Sequence, residues 1–176
     1  MISFKLGGTS VRVHFSFLVF NALVFMFRDS RTVLAFYTIC AIHEAGHLFA
    51  MELTGSRAIS ADFTAAGIRI ETRRTGAEPL SRSLAVLIAG PAANTAVYIL
   101  LGLTGCGGLF AMLNAAAAVY NMLPFRSLDG GAVLSLFTVG SPHERTADHI
   151  LTAVRVIIIA ATAAAFIYYH ELTVYN

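Results

Sequence analysis

The sequence predicts an all-α polytopic membrane protein. It has about five to six transmembrane helices and a small β-hairpin insert between the second and third. Three observations predict it. Hydrophobic residues make up 57% of the 176 and charged residues only 12%, whereas a soluble domain carries about 25% charge. Mean hydropathy is +0.72. Five apolar runs approach or reach the length that crosses a bilayer, and one polar stretch alternates with period two.

The runs are residues 11–27, 32–51, 84–103, 109–124 and 150–170. The first is about 17 residues, near the lower limit for a span. It lacks a small-residue cleavage site and more spans follow, so it reads as a retained helix rather than a signal peptide. Arg28 to Arg31 make a polar turn. The β-hairpin is expected in the region 57–74, where Gly67-Ile68-Arg69-Ile70-Glu71-Thr72 alternates and Ile59–Phe63 is its partner. Gly90-Pro91 lies inside the third run, and Pro124 ends the fourth. Gly130-Gly131 breaks the chain, and Ala132–Val139 is too short to cross alone. It either stays a short helix or forms half of a sixth crossing. The reading is one domain over residues 1–176.

Composition excludes several function classes. So little charge rules out a disordered chain and a nucleic-acid binder of the basic-patch kind. Cys40 and Cys106 are too few for a disulfide framework. The single lysine, Lys5, follows no Walker-type glycine, so ATP-driven chemistry is not expected. With the N-terminus inside, nine Lys and Arg residues lie on the inner side against Arg28 and Arg31 outside. That places the inner face in the cytoplasm.

The chemistry sits in His43-Glu44-Ala45-Gly46-His47. On a helix, residues four apart share one face. Two imidazoles so placed can reach one Zn²⁺ at about 2.0–2.1 Å. Glu44 is one position round the helix, where it can take a proton from water and pass it to a leaving amine. The motif lies inside an apolar run, where ionisable groups are costly unless paired. A metal supplies that pairing. A catalytic site needs a third protein ligand. Asp129 follows the fourth run and precedes Gly130-Gly131, at a depth similar to that of His47, and those glycines allow a close backbone approach. The bland alternative for Asp129 is a helix cap. Cys40, on the His43/His47 stripe, is a small apolar packer or a fourth ligand that would close the site.

His43–His47 in a membrane helix, Gly90-Pro91-Ala92-Ala93-Asn94, and Asn121-Met122-Leu123-Pro124 leading to Leu128-Asp129-Gly130-Gly131 resemble the site-2 protease family of intramembrane zinc metalloproteases. The resemblance runs from about His14 to Gly131 and is closest to the stage IV sporulation protein FB-like branch. It implies one Zn²⁺ per chain held by His43, His47 and Asp129, with Glu44 as general base and acid. It implies that Asn121 stabilises the oxyanion; the alternative is an interhelical hydrogen bond. Asn94, with Gly90, Ala92 and Ala93, is read as packing, the alternative being an oxyanion donor, and Arg155 as snorkelling to the inner surface or pairing with an acid. Ser127 stands where relatives of that branch carry proline. No PDZ or CBS domain is expected.

The implied activity is hydrolysis of a peptide bond in or near a transmembrane segment, that is, regulated intramembrane proteolysis. By the same resemblance the partner is a membrane-associated protein, such as a pro-sigma factor or anti-sigma factor. The localisation is a bacterial cell membrane, with the site nearer the cytoplasmic face. The alternative is a zinc-binding or zinc-transporting membrane protein without protease activity.

Overall fold

The computed structural model describes residues 1–6, 8–56, 58–65, 67–72 and 79–174. The chain forms two compact units, Met1–Asn121 and Met122–Asn176.

The first unit runs β1 (Ile2–Leu6), β2 (Thr9–Val13), α1 (Phe15–Phe27), α2 (Ser30–Thr54), β3 (Ala58–Thr64), β4 (Gly67–Thr72), α3 (Leu80–Leu103) and α4 (Leu109–Asn121). Its strands make one sheet in the order β1-β2-β3-β4. The outer pairs are antiparallel. The central pair, β2 and β3, is parallel, with Ser10 opposite Ser60 and Val13 opposite Phe63. Parallel neighbours need a crossover connection, and here α1 and α2 supply it. The start of α1 and the end of α2 therefore meet the same sheet. The His14 N–H donates to Phe63 O at 2.9 Å, and the Phe17 ring packs edge-on to Phe63 with centroids 5.5 Å apart. Arg12 forks onto Asp62, Nε to Oδ1 at 2.6 Å and Nη2 to Oδ2 at 2.8 Å.

This departs from the expected all-α chain with a lone hairpin. The sheet has four strands, and the first helix begins at Phe15 rather than at residue 11. Val11 and Val13 adjoin the apolar run, but Ser10 and Arg12 interleave with them. That is a period of two, and it belongs to a strand.

Among the described residues, α2, α3 and the 144–168 stretch of the last helix are long and apolar enough to cross a membrane. Helices α1 and α4 have 13 residues each, about 20 Å of rise, against a hydrocarbon core of about 30 Å. The Asp29 carboxylate starts α2 by accepting from the Arg31 and Thr32 N–H groups, both at 3.1 Å. Helices α2 and α3 pack through small residues, as membrane helices do. A Cβ on Gly46 would collide with Ala89 O and lie 2.8 Å from the Ala93 Cβ. Ala93 thus serves the close contact, while Ala92 is exposed. Asn94 is fully buried, and its Nδ2 donates to Ile39 O at 3.5 Å.

The second unit holds α5 (Asp129–Thr138) and α6 (Glu144–Val174). Ten residues give α5 about 15 Å of length, too little to cross. A Cβ on Gly130 would overlap Met122 O, and one on Gly131 would overlap Phe125 O. The chain of residues 122–128 thus lies directly on the first turn of α5, where only glycine leaves room for it.

Candidate metal centre

His43 and His47 lie on the inward stripe of α2 with Ile39, Ala50 and Met51. Both are buried, at 7% and 9% exposure, and among the described residues they share that state with the polar side chains of Ser60, Asn94 and Asn114. Their Nε2 atoms are 3.1 Å apart, with the rings edge to face at 83°.

One turn of α3 fixes this geometry. His47 Nδ1 lies 2.8 Å from Val86 O. A carbonyl only accepts, so Nδ1 carries the proton and Nε2 presents a lone pair. A second ring nitrogen held by a backbone carbonyl is the usual support of a metal-bound histidine. One turn further along, Gly90 faces the rings. A Cβ there would collide with His47 Nε2 and come within 2.8 Å of His43 Cε1. Pro91 follows and removes the amide hydrogen that Leu87 O would receive in an unbroken helix.

The donor set fits a zinc ion. Two imidazole nitrogens bound at about 2.05 Å in a tetrahedral shell sit about 3.3 Å apart, near the 3.1 Å observed. The sequence carried no sign of Val86, since its contribution is a main-chain oxygen. The role of Gly90 was visible only as a small residue suited to packing.

Glu44 is half-buried and one position round α2 from His43. Asn121 ends α4, and its Nδ2 donates to Ala117 O at 3.0 Å, one turn back in the same helix. In the second unit, Asp129 is the first residue of α5 and is half-buried. Its position in the helix makes it an acidic first-turn residue, favoured there by the helix dipole. His14 lies at the sheet, its Nε2 3.9 Å from Asp62 Oδ1. Cys40 is a free, half-buried thiol.

The fold and the buried histidine pair define a class: an integral membrane protein with the fold of a site-2 protease. Among solved structures, the chain is similar to the site-2 protease from Methanocaldococcus jannaschii, with a TM-score of 0.63 and 18% identity, covering 87% of this chain and 78% of that one. No family model matches the chain, and no curated protein matches it.

Proposed function

We propose that the protein is an intramembrane zinc metalloprotease that hydrolyses a peptide bond in or near a transmembrane segment of a membrane-associated protein. The observation that carries this reading is the buried His43/His47 pair, with its tautomer set by Val86 O. His43 and His47 would hold the ion, with Asp129 as the third ligand that the motif resemblance implies. Zn²⁺ held there would supply Lewis acidity and lower the pKa of water toward neutral. Glu44 takes the proton from the attacking water and returns it to the leaving amide nitrogen. The Asn121 amide carries two N–H donors, of which one goes to Ala117 O and the other donates to the developing oxyanion. The outer edge of β4 takes the unwound substrate as an added strand, which exposes the carbonyls that its own helix would shield.

The reading extends to a bacterial cell membrane with the site nearer the cytoplasmic face, supported by the placement of Lys and Arg. It extends also to a pro-sigma or anti-sigma factor as substrate, supported by the motif resemblance to the sporulation branch.

The test compares wild type with Glu44→Gln, purified in detergent, for bound zinc and for cleavage of candidate membrane substrates. The expected result is about one zinc in both and a loss of cleavage of about 10²–10⁴-fold in the variant. Equal cleavage by both overturns the mechanism. Zinc flux into liposomes without cleavage supports the transport reading instead.

A further inference from the structure

The second unit contains a cavity of about 980 Å³ whose lining includes Arg126, Arg145 and Arg155 together with Ser141. None of these residues takes part in the proposed hydrolysis. Two acids, Glu144 and Asp148, share the lining, so the cavity carries a surplus of one positive charge.

The three guanidinium groups differ in how they are engaged. Arg126 Nη2 lies 2.5 Å from Asp148 Oδ1. Arg155 donates through Nε to Pro124 O at 2.6 Å, and its Nη1 is 3.9 Å from Asp148. Arg145 is exposed and forms no hydrogen bond or ion pair among the described residues. The Glu144 carboxylate is turned aside, accepting from the Gly140 N–H at 2.9 Å.

The level in the membrane is set by α6. Its first turn is charged, and from Ile150 onward its apolar stretch carries only Arg155 as far as Tyr168. Helical side chains lean toward the helix N-terminus. Arg155 follows that direction and snorkels back to the charged end, where its side chain is 16% exposed. The cavity therefore sits where apolar helix gives way to polar surface, the depth of lipid phosphates. Basic pockets at that level bind anionic headgroups, and arginine forks match phosphate oxygens.

We propose that this cavity binds a phosphate diester, supplied by the headgroup of an anionic phospholipid. Arg145 and Arg126 contact the phosphate, and Arg155 forms the floor. One diester charge balances the surplus of one. The proposal does not depend on the protease reading.

The test uses the full chain in dodecylmaltoside micelles, titrated with short-chain phosphatidylglycerol, phosphatidylcholine or glycerol 3-phosphate. Binding is read by native mass spectrometry and by the thermal midpoint. Phosphatidylglycerol is expected to bind and raise the midpoint at concentrations where phosphatidylcholine does neither. Arg126→Gln with Arg145→Gln is expected to weaken binding about tenfold or more. Glu144→Gln keeps an acceptor for Gly140 and removes a competing charge, so it is expected to tighten binding severalfold. This opposite change guards against a double variant that merely unfolds. Equal binding of the two lipids, or no response to Glu144→Gln, overturns the site. Competition by glycerol 3-phosphate at equal affinity overturns the lipid as its source and assigns a soluble phosphate.

Discussion

His47 Nδ1 is held 2.8 Å from Val86 O, so α3 decides which nitrogen of an α2 histidine is free to bind a metal. The relationship crosses two helices and uses no side chain of α3. It also makes the spacing of α2 and α3 part of the site.

Replacing either ring removes a ligand. His43→Ala and His47→Ala are each expected to lower zinc from about one per chain to a small fraction, measured by elemental analysis of protein purified in detergent. Full retention of zinc by both variants would contradict the proposed centre.

Gly90→Ala tests the clearance beside the rings. The added methyl would strike His47 Nε2 while alanine itself favours helix. Helical content should hold, and zinc affinity should fall about 10–100-fold, the range seen when support around a ligand is disturbed. Competition with a zinc-binding dye reads the affinity, and circular dichroism reads the helix.

Asn121→Ala separates catalysis from packing. Loss of an oxyanion donor is expected to lower kcat about 10²–10³-fold, with KM and zinc content little changed. If the bond to Ala117 O is its whole role, kcat stays near wild type and only the melting temperature moves.

Asp62→Asn breaks the fork that joins β2 to β3. Arg12 is about a third exposed and Asp62 mostly buried, so the expected loss is about 1–2 kcal/mol, between a surface pair and a buried charged hydrogen bond. Thermal unfolding in detergent measures it.

The Asp29 carboxyl is held below its ordinary value of 3.8, chiefly by the Thr32 hydroxyl and then by the Thr32 amide. A lowered folded pKa means a contribution that is full above the unfolded pKa and lost as pH falls through the folded one. The Thr32 amide resonance should therefore titrate with a midpoint below 3.8, and the titration should vanish in Asp29→Asn.

The histidine pair was legible in the sequence because a spacing of four residues fixes one helix face whatever surrounds it. Asp129 was singled out by its neighbours: the glycines that follow it admit the 122–128 backbone, as their crowded positions show. The β1–β2 pairing was not legible, because Val11 and Val13 adjoin an apolar helix and merge with it in any hydropathy window. Nor was the parallel pairing of β2 with β3, since nothing local in either strand marks a partner fifty residues away. The donor that sets the His47 tautomer is a main-chain oxygen, and sequence carries no signal for it.

The parallel pairing of β2 with β3 also imposes an order of assembly. Ser10 leaves the ribosome fifty residues before its partner Ser60, an interval of roughly 2.5–10 s at ordinary synthesis rates. Throughout that interval β2 has only β1 to pair with, while α1 and α2 are being made. The sheet closes only after both helices have been made and α2 has brought the chain back beside β2. Closure of the Arg12–Asp62 fork thus marks the moment at which the chain has passed through both helices and come back to its first strands.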